Sequence, residues 1–389
     1  MEGVSPTESF STPAQRILII DDDLQIGMGL AIGLEGRGRH IIVCRDIESA
    51  ELVSERFNLT HVITDIKLTG PFRFEGLEIV DRVKRQHQTA NVIVISGHVT
   101  EELRAEAHRR GAGAVLGKPF SVDRIERLIP APSADIEGIV TFVPMLDEIL
   151  HSDLITSQFQ PIVWTENPKY AVGFEALTRL RSDSLLSDPV LLFRYAAAKG
   201  RVVDLELATA TASIAAGREL AELGILSVNV HPDVFLQADR FFHGIMDACA
   251  DAELAPQRVV LEITEQAPLR DLSAVEAVSA IMRSHGFHFA FDDVGSAYSH
   301  LRAIAAVRPS YLKISQHFGT ACEESEANRK IIENVEALAR SFSSEVVLEG
   351  VETEPTAAFA RELGIRFGQG YLYSRPTNTK RLMEEYGHN

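Results

Sequence analysis

Phe289-Ala290-Phe291-Asp292-Asp293 runs three apolar residues straight into two adjacent carboxylates, and Val294-Gly295-Ser296 follows. An apolar run closed by a small-residue loop reads as an interior strand, so the two acids stand at its C-terminal mouth. Neighbouring side chains on a strand face opposite ways. Both acids can therefore converge on one ion only where the strand has already broken into its loop. Two close carboxylates repel unless a proton or a cation lies between them. Taken alone, the stretch reads best as a strand-end Asx turn with solvated acids. Recurrence of the same pattern on both sides changes that reading.

Phe159-Gln160-Pro161-Ile162 opens a series of apolar runs that end in polar groups. Ala171 to Phe174 ends at Glu175, Leu226 to Val228 at Asn229, and Val259 to Leu261 at Glu262 with Glu265 beyond. Tyr311-Leu312 ends at Lys313, Val346 to Leu348 at Glu349 with Glu352 beyond, and Phe367-Gly368 at Gln369. Helical patterns separate these runs. Eight strand candidates alternating with helices predict a (β/α)₈ TIM-like barrel, in which functional groups come from the C-terminal ends of different strands. Glu175, Asn229, Glu262, Asp292, Asp293 and Glu349 are hard oxygen donors, and neither cysteine nor clustered histidine joins them. Such a set suits Mg²⁺ or Mn²⁺ rather than zinc. Six donors exceed what one Mg²⁺ takes from protein, and two ions sharing Asp292 use them better. Two ions about 4 Å apart can activate a water and stabilise the leaving oxygen of a phosphodiester. Lys313 can orient that water or neutralise developing charge.

The same logic governs the N-terminal part. Arg16 to Ile20 ends in Asp21-Asp22-Asp23, Ile41 to Val43 is a second strand, and His61 to Thr64 ends at Asp65. Val92 to Ile95 ends at Ser96, and Ala114 to Gly117 at Lys118. Five strands alternating with five helices predict a doubly wound five-stranded parallel sheet, with its site beyond the C-terminal strand ends. Asp21 and Asp22 can hold Mg²⁺, Asp65 can act as nucleophile, Ser96 can hydrogen-bond a transferred phosphoryl oxygen, and Lys118 can pair with its charge. Pro130-Ala131-Pro132-Ser133-Ala134-Asp135 breaks the pattern.

Composition bounds the class. The 389 residues are 45% hydrophobic and 24% charged, which suits a globular protein of two domains. No apolar run approaches the roughly 20 residues of a membrane helix, and no membrane association is expected. Residues 1–14 have no apolar core and read as a disordered lead-in rather than a secretory signal. Cys44, Cys249 and Cys322 are scattered, which points to a reducing cytoplasm rather than a disulfide framework. A net charge of −17 argues against direct DNA binding, while leaving room for an anionic substrate bridged by divalent ions.

Two resemblances gather these residues. Residues 15–130 resemble the response-regulator receiver family. The resemblance implies Asp65 as phosphoacceptor, Asp21 and Asp22 as metal-side acids with one Mg²⁺, Ser96 and Lys118 as switch residues, and a cognate sensor histidine kinase as partner. After a linker over 131–144, a second domain over 145–389 resembles the EAL domains across residues 145–385. These are bacterial phosphodiesterases that linearise cyclic di-GMP to pGpG. The motifs are Gly173-Phe174-Glu175-Ala176-Leu177-Thr178-Arg179, Gln160-Pro161-Ile162, Asn229-Val230-His231-Pro232, Glu262-Ile263-Thr264-Glu265, Asp292-Asp293, Leu312-Lys313-Ile314, Glu349-Gly350-Val351-Glu352 and Gln369-Gly370-Tyr371-Leu372. The resemblance implies Glu175, Asn229, Glu262 and Asp292 around a first metal and Asp293 with shared Asp292 at a second. Glu349 would ligate metal or take the proton of the attacking water, helped by Lys313, with Gln369 in the water shell. Gln160, Arg179, Asn229, Asp292 and Lys313 would contact substrate, Arg179 through a phosphate. Glu265 would brace the loop after Asp293, and Glu352 would lie behind the ligands. Receivers and EAL barrels both often pair, so a homo-oligomer is expected.

The chain also departs from these families. Val115 stands where receivers carry an aromatic switch residue, and the loop after Asp65 is longer than usual. In the stretch Val294 to His300, Ala297 replaces a family glycine, and glycine often marks a positive φ. This loop motivates an alternative reading, a weak or inactive EAL domain serving as a cyclic di-GMP receptor. Ser315 and Leu180 replace an aspartate and a tryptophan common in the family. None of these changes removes an expected ligand.

Overall fold

The computed structural model describes residues 15–68, 75–132, 136–264, 271–295, 301–320, 322 and 325–387. The chain divides into two compact units, one running to His151 and including Ser182–Lys199, the other Ser152–Arg181 with Gly200–Asn389.

The first unit is built on strands β1 (Gln15–Ile20), β2 (Arg39–Cys44), β3 (His61–Asp65), β4 (Asn91–Ser96), β5 (Ala114–Gly117) and β6 (Ile139–Phe142). They form one parallel sheet in the order β5-β4-β3-β1-β2-β6. Helices α1 (Leu24–Leu34), α2 (Ile47–Arg56), α3 (Glu75–Gln86), α4 (Glu101–Arg109) and α5 (Val122–Glu126) alternate with the first five strands. Ile17, Ile19, Ile41, Val43, Ile63, Ile93 and Ile95 are buried in the core. These near-continuous apolar strands suit a sheet covered on both faces. The doubly wound expectation holds, with one correction: the sheet has six strands. Ile139-Val140-Thr141-Phe142 pairs along β2. As an edge strand it has one backbone side unpaired and half-exposed side chains, so it carries no alternation to read.

After β6 come α6 (Leu146–Leu150) and, within Ser182–Lys199, α7 (Pro189–Ala198). Both belong to the first unit. The buried Tyr195 hydroxyl donates to Asp46, which caps α2 through the Ser49 amide at 2.9 Å. Lys199 pairs with Asp46 at 3.0 Å and Glu48 at 2.9 Å, and Arg194 with Glu55 at 2.5 Å. Burial pushes the Asp46 carboxyl up. The Ser49 and Tyr195 hydrogen bonds and the Lys199 charge outweigh it and hold the group below the usual carboxylate range.

The second unit is a closed eight-stranded barrel of β7 (Ile155–Trp164), β8 (Ala171–Leu180), β9 (Ile225–Val230), β10 (Val259–Ile263), β11 (His288–Val294), β12 (Tyr311–Ile314), β13 (Glu345–Leu348) and β14 (Phe367–Gly368). Strands β8 to β14 run parallel, whereas β7 is antiparallel to both β8 and β14. The barrel expectation holds, and the direction of β7 is the correction to a uniform βα alternation. The cause is short-range: only residues 165–170 separate β7 from β8, turning through Asn167 N–H to Trp164 C=O and Tyr170 N–H to Asn167 C=O. A parallel crossover needs about a dozen residues or more.

Candidate active site

Strand β8 continues to Leu180, so Glu175 sits inside a strand rather than at its end, opposite Gln160 of the reversed β7. Asn229, Glu262, Lys313 and Glu349 come from β9, β10, β12 and the residue after β13. At β11 the pairing with β12 shifts register between Phe291 and Val294, and Asp293 takes a left-handed φ of 53°. This bulge answers the directional problem of two neighbouring acids. The strand breaks within its length, and carboxylate oxygens of Asp292, Asp293 and Glu349 lie within 4.8 Å of one another. A left-handed conformation at a non-glycine residue is costly and concentrates at functional sites.

Lys313 holds the cluster together. It is 1% exposed. Its Nζ lies 3.0 Å from Glu175, 2.5 Å from Glu262, 2.7 Å from Glu349 and 3.6 Å from Asp292. Burial pulls its pKa down, but the surrounding carboxylates, Asp292 first, raise it well above the ordinary lysine range. Burial pushes Glu262 far up, Asp292 up, and Glu349 to about 8, with neighbouring acids adding and Lys313 opposing. For Glu175 burial also raises, but the Lys313 charge and hydrogen bonds from Gln369, Lys313 and Asn229 outweigh it and hold the group low. Gln369 donates to Glu175 at 2.6 Å and to Gln160 at 3.1 Å. Asn229 Nδ2 donates to Glu175 at 3.2 Å, which leaves its amide oxygen as a donor atom for a cation.

This donor set fits divalent ions. Five carboxylates face one ammonium, and protons or further cations must supply the remaining positive charge. The oxygens are hard ligands. Gln369 Oε1 is buried there without a hydrogen-bond partner among the described residues. Above the cluster is a cavity of about 200 Å³, lined by Gln160, Glu175, Asp292, Asp293, Glu349 and Gln369 with other rim residues.

The first unit gathers a second site. Oxygens of Asp21, Asp22 and Asp65 also lie within 4.8 Å of one another. Lys118 Nζ sits 2.9 Å from Asp21 and 2.6 Å from Asp65. Burial raises Asp21 against the pull of Lys118. Ser96 Oγ donates to the His98 carbonyl at 3.0 Å, and Val115 is buried on β5.

The EAL domain family matches residues 144–376, and the response regulator receiver domain family matches residues 17–130. The chain belongs to the EAL domain family. It joins that domain to a receiver, as the sequence resemblance implied. RocR, a cyclic di-GMP phosphodiesterase of Pseudomonas aeruginosa, is 28% identical over 281 residues, 69% of this chain and 71% of RocR. Among solved structures, the PaMucR phosphodiesterase complexed with c-di-GMP matches 61% of this chain and 97% of that chain, with TM-score 0.55 and 25% identity. The Klebsiella pneumoniae BlrP1 manganese and cyclic-di-GMP complex matches 60% of this chain and 58% of that chain, with TM-score 0.52 and 27% identity.

The other expected residues of this EAL domain differ in placement. Exposed Glu352 lines the cavity rim. Arg179 does not line the cavity. Its Nε donates to Gln158 at 3.0 Å, and burial lowers its pKa against the charge of Glu175. Glu265 and the loop residues 296–300, Ala297 among them, lie outside the described residues. Sequence reasoning passed over Ser227, whose buried hydroxyl donates to Glu262 at 2.5 Å. Its signal was available, because residues two apart on β9 share a face and Asn229 is already a candidate. Tyr371, on the cavity rim, was named only as part of a motif.

Proposed function

We propose that the protein is a two-component response regulator whose EAL domain hydrolyses cyclic di-GMP to linear pGpG, under control of phosphorylation at Asp65. The reading divides the chain functionally into a receiver over 15–130 and a phosphodiesterase over 145–389. The observation that carries it is the convergence of Glu175, Glu262, Asp292 and Glu349 from four places in the barrel onto buried Lys313, with Asp293 beside Asp292 and Glu349. In this reading Glu175, Asn229, Glu262 and Asp292 hold one Mg²⁺ or Mn²⁺, and Asp292 with Asp293 holds a second. Bound divalent ions supply Lewis acidity to the phosphodiester and to the attacking water.

The chain's own groups do the rest. Glu349, made basic by burial and neighbouring acids, accepts the proton of the attacking water. The water oxygen bonds to phosphorus, the bond from phosphorus to the 3′ oxygen breaks, and that oxygen takes up a proton from solvent while Glu349 returns its own to solvent. Lys313 keeps its proton throughout and offsets charge developing on the phosphoryl oxygens. Gln369 and Asn229 orient Glu175 by hydrogen bonds. At the receiver, Asp65 takes a phosphoryl group from a histidine kinase, with Asp21 and Asp22 holding one Mg²⁺ and Lys118 facing the new charge.

One experiment tests both halves. Purified protein is incubated with cyclic di-GMP and Mn²⁺ or Mg²⁺, with and without acetyl phosphate, and pGpG is followed by chromatography. Turnover is expected with at least one metal, together with phosphoryl labelling that Asp65→Asn abolishes. Folded protein that binds the cyclic dinucleotide tightly without cutting it would replace the enzyme by the receptor reading.

A further inference from the structure

Glu206 is an acid that the proposed reaction does not use. It lies on the helix α8 (Val202–Gly217), is 3% exposed, and its Oε1 accepts the backbone N–H of His231 at 2.8 Å. Burial pushes its carboxyl up to about 8, with only the His231 amide opposing. Burying a carboxyl group against one amide does little for folding, since taking the polar group out of water costs about as much as one such bond returns. Its placement points to a different role.

His231 is the first residue beyond β9, two past Asn229. There the sheet ladder ends. The carbonyl of Val230 is held by the Thr264 amide at 3.2 Å, on the β10 side. The amide of His231 is held from the helix side by Glu206. The strand end that carries Asn229 is thus clamped from two directions. The Asn229 side chain reaches Glu175 at 3.2 Å and the Ala176 carbonyl at 3.4 Å. A small backbone rotation at residues 230–231 would swing its amide oxygen away from the carboxylate cluster.

We propose that Glu206 is a positioning residue: by gripping the His231 amide it fixes the end of β9, and with it the Asn229 oxygen that meets a divalent cation. The proposal rests on the metal-dependent reading above. Groups behind metal ligands typically change metal affinity by about 10–100-fold when removed.

The test uses the full-length protein and Mn²⁺ alone, titrated by calorimetry, alongside the Mn²⁺ dependence of cyclic di-GMP turnover. Glu206→Leu should weaken Mn²⁺ binding about tenfold and raise half-saturating Mn²⁺ equally, with kcat at saturating Mn²⁺ within about threefold of wild type. Glu206→Gln keeps an oxygen that accepts the amide and should restore wild-type Mn²⁺ binding within about twofold. If Glu206→Leu does not fold, Glu206→Asp, which withdraws the carboxylate by one methylene, should still loosen Mn²⁺ by a few-fold. Folded Glu206→Leu or Glu206→Asp with wild-type Mn²⁺ affinity overturns the inference. So does Glu206→Gln as weak as Glu206→Leu. Wild-type protein that neither binds Mn²⁺ nor cleaves the dinucleotide removes both this inference and the reading beneath it, whereas an active wild type with unaffected variants removes only this one.

Discussion

The two acidic rims use the same parts at different depths. In the first unit, Lys118 meets two carboxylates with 23% of its side chain exposed, and Asp22 is open to solvent. In the barrel, Lys313 meets four carboxylates with 2% of its side chain exposed. An open rim suits a group delivered and removed by other molecules. A buried one suits ions held for many turnovers in a medium where each charge acts strongly. The difference shows that acids at strand ends do not fix a function by themselves; burial and the number of carboxylates per cation separate the two sites.

The largest effect that can break this comparison is loss of an acid proposed as a ligand in the barrel. Glu175→Ala should reduce turnover on the order of 10³-fold or more, with unchanged far-UV circular dichroism. Retained activity would move the site elsewhere. Next comes the contrast between the lysines. Removing Lys313 leaves buried acids without their cation, so Lys313→Met should cost about 3–5 kcal/mol in metal-free urea unfolding. Lys118→Met, at the open rim, should cost about 1 kcal/mol in the unit that carries it. Equal losses would erase the distinction.

The smallest effect concerns Asp46. Tyr195→Phe removes a hydroxyl donor to this buried carboxylate and should cost about 1–2 kcal/mol at pH 7. The folded pKa of Asp46 is depressed, so its stabilisation is present above the unfolded carboxyl value near ~3.9 and is lost as pH falls through the folded one. The difference between wild type and Tyr195→Phe should therefore shrink below about pH 4. A difference independent of pH would sever the link to Asp46.

Much of this was legible from residue order. Apolar runs giving way to polar groups located both rims, because a covered strand stays apolar except where its side chains enter a site. Three features were not. Strand β6 lies at an edge and is too exposed to show a pattern. The direction of β7 was written in the short link after Trp164, but apolar runs were weighed more heavily than link length. Residues Ser182–Lys199 follow the strand carrying Glu175 yet pack with the first unit, and only contacts remote in sequence, such as Tyr195 with Asp46, reveal that. At the site, the sequence put the break beyond the strand, in its loop, whereas it falls inside β11 as a bulge, and no residue type announced a left-handed Asp293.

The most direct test is crystallographic. Crystals grown with Mn²⁺ should show two anomalous peaks, one within bonding distance of Glu175, Asn229, Glu262 and Asp292, the other touching Asp292 and Asp293. Well-ordered crystals at high Mn²⁺ with Lys313 still paired to all four carboxylates and no peak among them would contradict the account.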